Sequence, residues 1–287
     1  MAAKIISFMN LKGGVGKTTT TVGTAYALSK LLGVKILVID VDPQTNATAM
    51  MIGEERWKEL ADSGKTLYDV FNCRIDLDKP LVLLPDIVCK QVGNLKDVKT
   101  VDLIPSSPKI LTIQDNLFAI ADKSDFSMEP DQVFERELEP LRDVYDFIFV
   151  DCPPNMGVLT RNGLRVSDGY VIPTVPDILS TYGIDEILAM VELFDEDWNK
   201  KTQCYGIVAT KVKRKIFVHE AKLRNLQENS KYKMFNTVFW ENSSFIAAAE
   251  FTKPLTMKQK WGNKDMTMFI DFAKELYRRI WETSHEA

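Results

Sequence analysis

Asn10-Leu11-Lys12-Gly13-Gly14-Val15-Gly16-Lys17-Thr18-Thr19 follows the apolar run Ile5-Ile6-Ser7-Phe8-Met9 and opens a segment of helical spacing. The stretch reads as a phosphate cradle. Its glycines let successive backbone N–H groups turn inward without a Cβ clash, and the helix that follows adds the positive end of its dipole, so an anion is held where the strand ends. In such a loop Lys17 reaches the β- and γ-phosphates and the Thr18 hydroxyl ligates Mg2+. The common pattern G-x-x-x-x-G-K-[ST] wants a glycine where this chain has Leu11, and the chain offers a second lysine, Lys12, instead. A chance glycine-lysine loop would require the flanking strand and helix to agree by accident.

Outward from the cradle, Ala25, Ala27, Leu28, Leu31 and Leu32 predict a helix from Thr18 to Leu32, with Gly33 as its stop. Lys35 to Ile39 is a short apolar run, as expected of a parallel strand buried on both faces, and it ends in Asp40-Val41-Asp42-Pro43-Gln44. Two carboxylates therefore stand at a strand's C-terminal edge, where open α/β sheets bind ligands. Further strands are expected at Val101–Ile104, Phe147–Val150, Val171–Val175, Tyr205–Thr210 and Met234–Phe239, the second of these ending in Asp151-Cys152-Pro153-Pro154. Helical spacing recurs near 109–122, 131–142, 181–196 and 218–226. A last helix is expected from Met266 to Trp281, with Phe269, Phe272, Leu276 and Ile280 on one stripe. This alternation predicts a single α/β domain over residues 1–287, with a doubly wound, mostly parallel twisted sheet and helices on both faces. Residues 53–98 read as a variable helical insertion to which no chemistry is assigned.

The chain has 287 residues, of which 45% are hydrophobic, enough for a full core. No apolar run of about 18 residues is present, which points to a cytoplasmic protein without a membrane span. Cys73, Cys89, Cys152 and Cys204 are scattered without a C-x-x-C pair, so disulfides and a zinc site are not expected. The net charge of −4 conceals a segregation: Lys200 to Lys264 carries 14 Lys+Arg against 4 acidic residues, a balance of +10 that leaves −14 for the remainder. Such a segment calls for an anionic partner, nucleic acid first and acidic membrane second.

Asn10 to Thr19, Asp40-Val-Asp-Pro-Gln with Asn46-Ala-Thr, Leu103-Ile-Pro-Ser and Val150-Asp-Cys-Pro-Pro together resemble the ParA/MinD superfamily of P-loop ATPases with a deviant Walker A motif. The match spans roughly residues 3 to 175. The resemblance implies a P-loop NTPase that hydrolyses ATP with Mg2+. It implies a nucleotide held by Lys12, Gly13, Gly14, Val15, Gly16, Lys17, Thr18 and Thr19, and a metal held by Thr18 and Asp151 with Asp40 supporting its shell. Catalysis would rest on Lys17, on Asp42 positioning the attacking water, and on Lys12 acting across an ATP-dependent homodimer. Adenine is the expected base, because Thr210-Lys211-Val212-Lys213 puts a lysine where a guanine-reading carboxylate belongs.

Partners implied by the resemblance are non-specific DNA and a ParB-like or other adaptor protein that stimulates hydrolysis, with nucleoid association in the cytoplasm. Candidate DNA contacts are Lys211, Lys213, Arg214, Lys215, Lys222 and Arg224, with Lys258, Lys260 and Lys264 near the C-terminal loop. Two positions depart from the family: Ser244 stands where an arginine is common, and Thr45 where glycine is common. A MinD-like membrane-cycling protein is the alternative, disfavoured by a C-terminal tail with only Arg278 and Arg279 as basic residues and an acidic end. An iron-protein-like electron-transfer ATPase would need cluster-ligand cysteines, and a non-hydrolysing scaffold would not need Asp42 and Lys12.

Overall fold

The computed structural model describes residues 2–123, 128–177, 180–214, 216–248, 250–251 and 254–283. Its strands are β1 (Lys4–Phe8), β2 (Ile36–Asp40), β3 (Val101–Ile104), β4 (Phe147–Asp151), β5 (Gly169–Thr174), β6 (Gln203–Val212) and β7 (Met234–Trp240). The helices are α1 (Lys17–Leu32), α2 (Asn46–Asp62), α3 (Leu67–Ile75), α4 (Ile110–Ile113), α5 (Ala119–Lys123), α6 (Val133–Glu137), α7 (Glu139–Arg142), α8 (Val158–Val166), α9 (Ser180–Trp198), α10 (Phe217–Glu228), α11 (Ser243–Ala248) and α12 (Met257–Thr283).

The strands form one sheet in the order β3-β2-β4-β1-β5-β6-β7, and every pairing is parallel. Alternate side chains feed two cores. Ile5, Leu37, Ile39, Ile148 and Val150 pack with α3, the short helices α4 to α7, α8 and α9. Ile6, Phe8, Ile36, Val38, Phe147 and Phe149 pack with α1, α2 and α12 on the opposite face. Period-2 strands with both faces apolar can satisfy both only when helices cover each side.

α1 lies closest to α12. A Cβ on Gly23 would stand 2.1 Å from Phe269, so only glycine admits that ring. The stripe Phe269, Phe272, Leu276 and Ile280 is wholly buried there. Edge strand β7 is tied to α12 by Glu275, whose carboxylate accepts the N–H of Asn236 at 2.9 Å and pairs with Arg279 at 2.9 Å.

Three expectations change in detail. The helix predicted over 109–122 is interrupted by a 3-10 turn at Gln114–Asn116, where Asp115 and Asn116 compete for the backbone. The one over 131–142 splits into α6 and α7, with Pro140 near the start of the second, unable to donate a backbone bond. α12 starts at Met257, earlier than expected, with a break at Gly262. Among the described residues, no helix is long and apolar enough to cross a membrane.

Candidate functional site

Strand register places the chemistry on one edge. Phe8 of β1 and Asp40 of β2 both sit opposite Asp151 of β4, so the cradle, the Asp40–Gln44 loop and the Asp151 loop leave the sheet side by side. β2, β3 and β4 lie on one side of β1 and β5, β6 and β7 on the other, which makes this edge the switch-point crevice of an open parallel sheet.

The cradle is built from backbone. Gly14 and Gly16 take positive φ of 73° and 85°, and Gly16 caps α1. Remote residues hold it in place. Asn10 Nδ2 donates to the Pro173 carbonyl at 2.8 Å and to Thr174 Oγ1 at 3.0 Å, while its Oδ1 accepts the Lys12 N–H at 2.9 Å. From the other side, Thr210 Oγ1 donates to the Val15 carbonyl at 2.6 Å. The loop is therefore clamped between β5 and β6 before any ligand arrives, which lowers the entropy cost of binding one.

Gly13, Gly14, Lys17, Thr18, Thr19 and Asp42 line a cleft of about 280 Å3 with Gln44, Asn46 and Lys211 at its rim. Lys17 is 7% exposed and folds over its own loop, Nζ donating to the Lys12 carbonyl at 3.1 Å and the Asn10 carbonyl at 3.3 Å. Burial lowers its pKa against the opposing pull of Asp151 and Asp42. An anion entering the cleft would meet this buried cation directly. Thr18 Oγ1 donates to Asp151 Oδ2 at 2.7 Å and Thr21 Oγ1 to Oδ1 at 3.2 Å. Burial pushes the Asp151 carboxyl up to about 7, the Thr18 bond opposing the rise and Asp42 adding to it. The Thr18 hydroxyl lines the cleft and the wholly buried Asp151 carboxylate stands directly behind it, two hard oxygen donors of the kind that fit Mg2+, which binds few protein groups and keeps water and phosphate as its other ligands.

Asp42 is 6% exposed, and its Oδ1 accepts the Gln44 N–H at 2.9 Å. Asp40 is placed as a brace instead of a ligand facing the cleft. It is fully buried, its Oδ2 accepting the Thr48 N–H at 2.8 Å and hydroxyl at 2.6 Å, and its Oδ1 the Asp42 N–H at 3.2 Å. Burial and then Asp151 raise its pKa well above the carboxylate range. Thr45, where glycine is common in the family, takes φ 56° at the start of α2. A β-branched residue in the left-handed region is strained, and here the strain sits where the Asp42 loop ends.

Lys12 and Val15 stand apart from the cleft wall: Lys12 Nζ lies 2.8 Å from Asp177 Oδ1, and Val15 is buried beneath the loop. Asn10, Thr21, Thr48 and Thr210 complete the site although the sequence assigned them no role of their own, since a threonine or asparagine gains meaning only from what it faces.

The described cations of the basic segment have separate local surroundings. Lys211, expected at a DNA surface, stands on the rim of the cleft with φ 50°, because the strand that delivers Thr210 to Val15 brings it there. Lys260 is half-buried and donates to the Glu250 carbonyl at 3.0 Å, and burial lowers its pKa. Lys213 lies 3.6 Å from Glu241, and Arg214 stacks 5.0 Å above the Trp240 ring. Arg214 and Lys264 share a groove of about 520 Å3 that also holds Glu241 and Asp265. Lys258 and Arg224 are exposed and Lys222 is half-buried. Lys215 and the side chain of Ser244 lie outside the described residues. Cys73, Cys89 and Cys152 are buried and Cys204 is half-buried, all as free thiols. Among the described residues no group of His, Cys, Asp and Glu could hold a metal by itself.

The family model AAA_31, an AAA domain, matches residues 3–204. The sporulation initiation inhibitor protein Soj of Bacillus subtilis is 28% identical over 273 residues, covering 95% of this chain and 98% of its own. Among solved structures, cobyrinic acid a,c-diamide synthase from Mycobacterium smegmatis, with bound ADP and magnesium, superposes with a TM-score of 0.74 at 19% identity, over 98% of this chain and 96% of its own. A plasmid partition protein of Borrelia burgdorferi bound to AMPPNP gives 0.67 at 19% identity, over 99% and 100%.

Proposed function

The chain belongs to the AAA_31 family of AAA domains, and from that premise we propose that it is a ParA-like ATPase. Bound to ATP, it forms a homodimer that binds DNA without sequence preference and so segregates or positions a plasmid, a chromosome or another cargo. A partner protein of ParB-like or other adaptor type stimulates hydrolysis and ends each cycle. The whole chain works as one ATPase unit, with residues 53–98 and 200–264 shaping its surface.

The observation that carries this is the convergence on one cleft of the buried Lys17, of Thr18 with the wholly buried Asp151 bonded behind it, and of Asp42, while the second lysine, Lys12, pairs with Asp177. Lys17 and the backbone of residues 13–17 hold the phosphate oxygens, with Thr19 beside them. Thr18 and Asp151 hold Mg2+, which when bound neutralises charge on the β- and γ-phosphates. Asp42 orients a water molecule so that its oxygen forms the new bond to the γ-phosphorus as the bond to the bridging oxygen breaks, and Asp42 takes up the proton released. Lys12 of the partner subunit offsets charge on the transferring group, as an arginine finger does. The ADP and AMPPNP found in the two structural relatives support an adenine nucleotide. Identity below 25% there speaks for the shared fold alone, so function rests on the site.

A membrane-cycling reading draws on a different observation. The α12 stripe is buried and presents no apolar face to lipid, yet Ile216, Phe217 and Val218 are exposed beside Lys213 and Arg214. Binding to a random-sequence DNA duplex without nucleotide, with ADP and with slowly hydrolysed ATP, across a salt series, separates the two. ATP-dependent binding that weakens steeply with salt is the expected result, since neutralised phosphates release counterions. Absence of binding at low salt with every nucleotide would remove the DNA reading and direct the same series to anionic liposomes.

A further inference from the structure

Between β6 and α10 the chain makes a short projection that breaks two rules of surface sequence. Ile216, Phe217 and Val218 are 40%, 82% and 43% exposed, although consecutive apolar side chains on a surface mark a place of contact. Ile216 is also the N-cap of α10, where serine, threonine or aspartate would serve the helix better, and it offers no side-chain acceptor. The projection is fixed from beneath. Val212 and Leu223 are buried in one cluster with Ala209, His219 Nδ1 accepts the Lys213 N–H at 3.3 Å, and Arg214 stacks on the Trp240 ring at 5.0 Å. Lys211, Lys213 and Arg214 precede the trio and Lys222 and Arg224 follow it, with Glu220 as the one carboxylate among them.

An apolar tip among cations fits a polyanion that can open an apolar slot. We infer that Phe217 inserts as a wedge between stacked base pairs of duplex DNA while the cations around it hold phosphates. This rests on the DNA reading above and names a contact within it. The size of the tip favours DNA over a bilayer. Only the Phe217 ring is free over most of its surface, the scale of one wedge at one base step, whereas a helix lying in lipid needs a broad apolar face. Farther along α10, Leu223 and Leu226 are buried, and Arg224, Asn225 and Glu228 are the exposed residues. The chain outside residues 200–264 carries a net charge of −14, which a flat anionic surface would repel and a narrow duplex at the tip would largely avoid. Stacking releases no counterion, so the ring strengthens binding equally at every salt concentration. It also favours pyrimidine–purine steps, which unstack at the least cost.

The test titrates full-length chain, with slowly hydrolysed ATP and across a salt series, against a duplex that carries a fluorescent adenine analogue at a central pyrimidine–purine step. Emission of the analogue rises when it unstacks. Wild type is expected to bind with that rise. Phe217→Ala is expected to bind about ten-fold more weakly at every salt concentration, the scale of one aromatic–base contact, with an unchanged salt slope and no rise in emission. Phe217→Leu is still a wedge and should keep the rise and most of the affinity. ATP affinity should match wild type in both variants, because the ring stands outside the cleft. Wild-type affinity and emission in Phe217→Ala would overturn the wedge and leave DNA binding itself standing. A weakened Phe217→Ala with a flattened salt slope would also overturn it, since the ring would then serve the cations and not the bases. Failure of wild type to bind any duplex at low salt would defeat the DNA reading, and the wedge with it. Sedimentation with phosphatidylserine–phosphatidylcholine vesicles that depends on Phe217 would then assign the tip to lipid.

Discussion

At the β1–β2–β4 edge the charges are few and buried; around β6, α10 and the start of α12 they are many and mostly exposed. Lys17, Asp40, Asp42 and Asp151 are each under a tenth exposed. Desolvation is costly there, so each charge is kept only because directional partners compensate it. In the basic segment solvent does that work, and the cations find unrelated local partners: Glu241 for Lys213, the Trp240 ring for Arg214 and a backbone carbonyl for Lys260. A count of +10 therefore describes a long-range field, while the four buried groups describe a site. Position along the chain does not separate the two regions cleanly either, since Lys211 belongs to the cleft.

The contrast can be broken at several points. Lys17→Ala is expected to weaken ATP binding about 100-fold, the scale of losing charge-assisted bonds in a buried site, as read by titration calorimetry. Near-normal affinity would make Lys17 a structural plug. Asp42→Ala should lower single-turnover hydrolysis about 100-fold or more while ATP affinity changes little, the size associated with a lost proton acceptor. Normal turnover would withdraw its catalytic role. On the other side, Arg214→Glu combined with Lys264→Glu should weaken duplex binding about ten-fold at low salt and flatten the salt slope by about 2, near 0.9 per phosphate contact. Lys211→Ala should instead weaken ATP binding, and a loss confined to DNA would return Lys211 to the basic surface.

Titration sharpens the comparison further. The Asp151 carboxyl, at about 7 in the fold, stands above its ordinary value of about 3.9 when unfolded, so the fold binds this proton more tightly. Its stabilising contribution is complete below the unfolded value and is lost as pH rises through about 7. Asp40, raised by burial and Asp151, acts in the same direction. The nucleotide-free chain should melt at higher temperature at pH 6 than at pH 8, and Asp151→Asn should flatten that difference while raising the melting temperature at pH 8. A melting temperature that rises with pH would contradict the burial of these carboxyls. The smallest expected effect is at Thr45→Gly, where relief of a left-handed threonine should gain about 1 kcal/mol, or roughly 2 °C. No gain would mean the loop relaxes around Thr45 without strain.

Much of the fold was legible because its signals are local. Gly14, Gly16 and Lys17 are consecutive enough for spacing to reveal the cradle, and the apolar runs of β1, β2 and β4 announce strands covered on both faces. Gly33 ends α1 in the left-handed conformation, as its position after Leu32 led one to expect. What escaped was every contact between remote residues. Asn10 reaches Pro173 across 163 positions and Thr210 reaches Val15 across 195, and neither residue type carries a signal of its own. The short helices between 110 and 142 were read as two because their apolar spacing is continuous where their backbone is not.

The residues by themselves determined the class of sheet, the cradle and the two carboxylate-bearing strand ends, since each follows from the conformational freedom or periodicity of neighbours along the chain. Only the tertiary structure decided that Asp40 braces while Asp42 faces the cleft, that Lys211 joins the nucleotide rim, and that Lys12 rests against Asp177. Those outcomes depend on strand order and register, which bring together groups that the sequence keeps apart.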